Sequence, residues 1–216
     1  MRGMSLQKMS KFERFTNFLT KQIRENRTRF FTVLGFTAGF TILAIFIFVR
    51  LQTLNESASD RLAAAYMSLM STNRQEAIVH LNYAVAYSGN TPASYQARLV
   101  KADILMDEKN YGAALPLLKE TEEKGNPDMI KPLAMYRIIY AYDQQNDYQN
   151  AILSSNEFIA KYSDNFLIRN VYLNLARYYQ LTNSPEDAGR IYGEVLVKFP
   201  ATKEAEYAEK VLRGLN

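Results

Sequence analysis

Apolar and polar positions change rhythm twice along this chain. From Phe30 to Val49 twenty consecutive residues, FFTVLGFTAGFTILAIFIFV, carry no charge. At about 1.5 Å of rise per helical residue such a run covers the roughly 30 Å hydrocarbon core of a bilayer. Ahead of it, Phe12, Phe15, Leu19 and Ile23 recur at steps of three and four, with Lys11, Arg14, Lys21 and Arg24 between them. Beyond it the apolar residues return in blocks of helical spacing separated by polar turn segments, and no block has the two-residue alternation of a strand. The pattern predicts an all-α chain in three parts: a basic N-terminal segment over 1–29, a single transmembrane helix over 30–50, and a helical repeat domain over 51–216.

Within the third part the chain repeats itself. Ala77, Ala114, Ala151 and Ala188 follow one another at intervals of 37 residues. They close the corresponding segments TNRQEA, KNYGAA, NDYQNA and NSPEDA, each with Asn, Asp or Ser ahead of an apolar helical pattern. The side-chain oxygens of such residues accept bonds from the unpaired N–H groups of a helix start, so each segment marks the second helix of a hairpin. Twelve residues before the alanines stand Ala65, Ala102, Ile139 and Ala176, with Leu62, Leu99, Tyr136 and Leu173 as apolar neighbours. Small residues at both places let two antiparallel helices pack closely.

This spacing resembles the tetratricopeptide repeat, whose unit of about 34 residues carries small residues at its eighth and twentieth positions. The last unit matches most fully, with Tyr172, Leu175, Ala176, Tyr179, Ala188, Tyr192, Phe199 and Pro200 at pattern positions. The longer period places the extra residues in the second helix or the loop after it. Turn residues at SGNTP (88–92), KGNPD (124–128), YSDN (162–165) and FPAT (199–202) then bound helices at about 58–71 and 74–88, 93–108 and 111–124, 129–145 and 148–162, 166–182 and 186–199. The expected fold is an α-solenoid of about four hairpins. A further helix over 202–213, apolar at Ala205, Ala208, Val211 and Leu212, would cap its last face. Pro116, past the first turn of its helix, removes one backbone bond and should bend the helix locally. Between Arg50 and the first repeat helix there is no Gly or Pro, so the spanning helix is expected to run into the first repeat without a full break.

Charge decides the direction. The net charge is +4, yet residues 1–29 alone hold eight basic side chains (Arg2, Lys8, Lys11, Arg14, Lys21, Arg24, Arg27 and Arg29) against Glu13 and Glu25. Residues 51–216 hold seventeen basic and twenty acidic residues, which leaves no cationic face for a nucleic acid. Basic residues ahead of the apolar run keep the N-terminus in the cytoplasm and put the repeats outside. The polar lead and the length of the run point to an uncleaved signal anchor rather than a cleaved signal peptide. The lead itself is either a helix lying in an anionic headgroup layer or a tail whose cations merely fix orientation. Gly35 and Gly39 form a G-x-x-x-G spacing that can bring two spanning helices together or simply face lipid.

Candidate chemistry is sparse. There is no cysteine, and His80 is the only histidine, read as an ordinary surface or half-buried side chain near Tyr83. No metal-ligand spacing or phosphate loop occurs, so no cofactor or metal is expected and an enzyme is disfavoured. Glu120, Glu122 and Glu123 read as a solvated helix end, and the tyrosines mostly as core.

The tetratricopeptide resemblance implies a protein-binding groove lined by first helices. Carried over residue by residue it gives Tyr66, Leu69, Gln96, Asp103, Met106, Tyr136, Tyr140, Asp143, Asn170, Arg177 and Gln180. Each of these has packing within the array as its alternative. The groove is mixed, aromatic and largely uncharged, which suits an extended or helical apolar polypeptide. The whole layout resembles the ancillary SecYEG translocon subunit family of bacterial inner-membrane proteins. That resemblance implies a periplasmic domain meeting exported polypeptides or their chaperones beside the translocon. Competing expectations are a scaffold of an envelope complex for division or outer-membrane assembly and an organelle import receptor, the latter opposed by the basic lead. Oligomeric state is left open.

Overall fold

The structure is a computed structural model that describes residues 11–215, apart from the side chains of Lys11, Glu13, Leu19, Gln22 and Leu215. Arg2 and Lys8 of the basic lead therefore lie outside the described residues, as does the side chain of Leu19 in the apolar stripe. The described residues form ten helices and no strand: α1 Lys11–Glu25, α2 Arg27–Met70, α3 Arg74–Tyr87, α4 Pro92–Asp107, α5 Tyr111–Lys124, α6 Ile130–Gln144, α7 Tyr148–Lys161, α8 Ile168–Leu181, α9 Pro185–Lys198 and α10 Lys203–Leu215. The chain divides into two compact units, Met1–Gln52 and Thr53–Asn216. The helix α2 is unbroken, so the apolar stretch and the first repeat helix belong to one element as expected. The repeat helices keep the sequence bounds to within two residues at every end except the start of the first, which lies inside α2.

One turn is used four times. Thr72, Lys109, Asn146 and Asn183 have left-handed backbones, with φ of 60°, 58°, 57° and 58°, and they too are 37 residues apart. Around each, the next N–H donates back across the end of the first helix: Asn73 to Ser68 O and Asn110 to Leu105 O at 2.8 Å, Asp147 to Tyr142 O at 2.9 Å, and Ser184 to Tyr179 O at 2.8 Å. This is the Schellman closure, which satisfies carbonyls that a helix end leaves open. The donor residue then starts the following helix. Side chains of Asn73, Asn110 and Asp147 accept from the N–H of Glu76, Ala113 and Asn150 at 3.2–3.3 Å. Ser184 makes no such bond; Pro185, which has no N–H to satisfy, and the acidic Glu186 and Asp187 open α9 instead.

The second helices bury one stripe at matching positions. Ala77, Ala114, Ala151 and Ala188 are fully buried, and so are Leu81, Leu118, Ser155 and Tyr192 four residues on, and Ala84, Thr121, Phe158 and Val195 three beyond those. Spacings of four and three put each trio on one helix face. The buried hydroxyls of Thr121 and Ser155 donate to the carbonyls four residues back, Leu117 O at 2.8 Å and Ala151 O at 2.7 Å. Facing helices bring Ala65, Ala102 and Ala176, fully buried, and Ile139, nearly so. Burial is segmented along the array, with clusters around α2–α4, α4–α6 and α6–α10, as expected when each unit packs on its neighbours. The terminal helix α10 buries Ala205 and Ala208 and sets Val211 and Leu212 against the last cluster, which is the expected capping role.

One local reading needs revision. Glu120 and Glu122 are not merely a solvated helix end. Glu120 pairs with the buried Arg98 at 3.3 Å, and Glu122 accepts from Lys161 Nζ and Tyr162 Oη, each at 3.1 Å, tying α5 to the end of α7. Hydrogen bonds to Glu157 and then to Glu122 hold the Lys161 ammonium above its ordinary range. The helix α5 also continues through Pro116 from Tyr111 to Lys124. The carbonyl it leaves without a partner belongs to Gly112, which is exposed and so within reach of water.

A left-handed backbone costs a residue with a side chain about 1–2 kcal/mol, most for a β-branched one. Thr72→Gly is therefore expected to stabilise the chain by about 1 kcal/mol, and Asn146→Gly by less because Asn tolerates that region. Urea unfolding followed by circular dichroism checks both the sign and the order.

Candidate functional site

First helices α2, α4 and α6 of successive hairpins, together with the loops that follow α5 and α7, enclose a recess of about 760 Å³. Apolar lining comes from Tyr66, Leu69, Leu99, Ile104, Ile130 and Leu133. A second recess of about 410 Å³ adjoins it and shares Asp103, Asp107, Leu133, Arg137 and Phe166. The two together gather seven of the eleven residues expected to line a groove: Tyr66, Leu69, Gln96 and Asp103 in the first, and Asp103, Met106, Tyr136 and Tyr140 in the second. Of these Met106 is buried in the middle core cluster, whereas Tyr66 and Tyr140 are about half exposed. Asp143, Asn170, Arg177 and Gln180 fall outside both recesses.

The charges at this surface are spent within the array. Arg137 grips Asp103 with two hydrogen bonds of 2.6 and 2.9 Å, joining α6 to α4. Arg74 reaches Asp107 at 3.1 Å, from α3 to α4. Arg177 holds Asp143 at 2.6 Å, from α8 to α6, and lies 5.0 Å from the ring centre of Tyr178. Gln180 accepts from Tyr192 Oη at 3.1 Å. Each of the four charged side chains lining the larger recess thus has an opposite partner in the lining itself, so the recess is electrically balanced. Among the described residues no three His, Asp or Glu side chains converge as a metal site would require.

Residues outside the first-helix register complete the wall. Met129 and Phe166 stand 74% and 69% exposed on the two loops, beside Pro127 and Asn165. They occupy equivalent places in consecutive repeats, 37 residues apart. A large apolar side chain amid Gly, Asn, Asp and Ser at the same point of two repeats is the sequence signal that would have found them. Gly125 sets the first loop. Its N–H donates to Thr121 O at 2.9 Å, and a Cβ there would fall 2.6 Å from Ile130 Cγ2. The backbone turns into α6 through a space that admits no side chain.

No family model matches the chain, and no curated protein matches it. Among solved structures, a kinesin-light-chain-type array of nearly identical TPR-like repeats from Podosopora anserina is similar to it, with a TM-score of 0.55 at 16% identity. The match covers 72% of this chain and 83% of that one. A single-substitution form of that array matches to the same extent. The fold is a tetratricopeptide-like solenoid. Folds of this kind generally mediate protein–protein interaction.

Gly125→Ala is expected to lower stability by about 1–3 kcal/mol, because the methyl group must displace Ile130 or the end of α5; urea unfolding measures it. A pH effect follows from the tyrosines. Burial, reinforced by nearby acidic charge, pushes Tyr178 and Tyr162 from 10.0 up to about 12. An unfolded chain loses those protons first, so the stability they carry is complete below pH 10 and drains away as pH rises towards about 12. Unfolding midpoints should fall across that window, and Tyr178→Phe should make the fall shallower.

Proposed function

We propose that this chain is a membrane-anchored binding module that holds apolar polypeptide segments in the recess between α2, α4 and α6. The observation that carries the reading is a wall of exposed or half-exposed Tyr66, Met129 and Phe166 around a floor whose charges are already paired. Placing a charged segment there would strip water from it with no free counter-charge in return, whereas an apolar side chain gains by leaving water. Main-chain groups of such a segment can still bond to Gln96 and Asn165 at the margin. The other candidate residues, Asp143, Asn170, Arg177 and Gln180, would then extend the same surface along α6 and α8.

Anchoring is supported by α2, whose stretch from Phe31 to Leu51 exposes large apolar side chains throughout and is long and apolar enough to cross a membrane. With basic residues crowding its N-terminal side, the repeats would lie outside the cytoplasm of a bacterial inner membrane. Exported polypeptides emerging beside the SecYEG translocon fit this arrangement: they are extended, apolar in part and close to the bilayer. Tethering raises the effective concentration of a weak site at that place.

A photo-reactive residue at Tyr66 or Phe166, in chain kept in its native membrane, is expected to capture many exported polypeptides. Met129→Ser with Phe166→Ser should reduce that capture about tenfold, by removal of two apolar contacts. Capture of a single folded protein in fixed proportion would replace this reading with that of a scaffold.

A further inference from the structure

Next to the apolar stretch lies a second surface that no other described residue covers. The helix α1 exposes Phe12 (74%), Phe15 (58%) and Phe18 (58%), three aromatic rings within seven residues, while Arg14, Lys21 and Arg24 are exposed between them. In a helix, Phe12, Phe15 and Ile23 share a stripe, and Arg14, Lys21 and Arg24 fall on the other side. Soluble surfaces rarely leave such an aromatic cluster open without a use. One residue, Asn26, separates α1 from α2; its carbonyl accepts from Phe30 N–H at 2.9 Å and so starts the second helix. Arg27 and Arg29, both exposed, follow at once.

We infer that α1 is a lipid-binding helix that lies in the headgroup layer, with its phenylalanines among acyl chains and its cations on anionic headgroups. This rests on the anchoring reading of α2. If Phe30–Val49 crosses the bilayer, the end of α1 at Glu25 is held within a few residues of the headgroups, and a helix of about 22 Å, at 1.5 Å per residue, has lipid as its nearest apolar medium. The aromatic face matches the acyl boundary, and the cationic face, continued by Arg27 and Arg29, matches an anionic leaflet rather than a zwitterionic one. The device then does more than orient the chain, because it makes the seating of α1 in the headgroup layer depend on lipid charge.

The absence of cysteine makes the test clean. Full chain carrying one of Phe15→Cys, Lys21→Cys or Ala44→Cys, each labelled with an environment-sensitive dye, is reconstituted without any other protein into vesicles. These are made either of phosphatidylcholine or of phosphatidylcholine mixed with phosphatidylglycerol, and each contains brominated acyl chains as quencher. The label at position 44 should be quenched in both lipids. In the anionic vesicles position 15 should be quenched about threefold more than position 21, and the difference should shrink in pure phosphatidylcholine or in high salt. Phe12→Ser with Phe18→Ser should abolish quenching at position 15 while leaving position 44 unchanged. Equal quenching at 15 and 21, with 44 quenched, overturns the lipid-binding helix and leaves the anchor standing. An unquenched label at 44 overturns the anchor and this inference with it.

Discussion

Close approach of paired helices at two small positions per hairpin is the constraint on which the repeat domain depends. With Ala65, Ala102 and Ala176 on first helices and Ala77, Ala114, Ala151 and Ala188 on second ones, all fully buried, backbones come near enough for the larger residues on either side to interdigitate. The third hairpin carries Ile139 in place of an alanine. It also has Ser155, fully buried, where the others have Leu81, Leu118 and Tyr192. The left-handed turn enforces this pairing, because it reverses the chain in a fixed number of residues and closes the first helix with the residue that opens the second.

Several charged residues act between hairpins. Asp103 with Arg137 and Asp143 with Arg177 join first helices of neighbouring units across 34 residues of sequence, and Glu122 with Lys161 and Tyr162 joins second helices. These pairs are partly exposed, so each contributes modestly to stability. Asp103 with Arg137, like Arg74 with Asp107, also leaves the lining of the recess without an unmatched charge, while Tyr66, Met129 and Phe166 supply its apolar surface. Balanced polarity and exposed apolar walls are the grounds for the proposal that an apolar segment occupies it.

Much of the fold was legible because its determinants are local and repeat. Helix ends followed from Asn73, Asn110, Asp147 and Ser184, each a residue whose side chain or neighbours can start a helix. The 37-residue interval then ordered the hairpins, and the apolar face of α10 marked the end of the stack. The groove was legible in part. Tyr66, Leu69, Gln96 and Asp103 line the larger recess since they lie on the faces of first helices, and Tyr136 and Tyr140 line the smaller for the same reason. Met129 and Phe166 open the expected helices 129–145 and 166–182 but precede the groove register carried over from the repeat, and the structure sets them on the loops ahead of α6 and α8, although the repeat period relates them.

From the sequence alone come the helices, their pairing into hairpins, the uncharged stretch long enough to span a bilayer and the basic flank before it, since each depends on residues within about one repeat of one another. Tertiary structure decided which ionisable groups are consumed in pairs, turned Glu120 and Glu122 from solvated charges into struts, and set the two loops against the first helices. Those outcomes depend on distances between side chains that lie 22 to 40 residues apart in sequence, and no local periodicity specifies such a distance until neighbouring hairpins have packed.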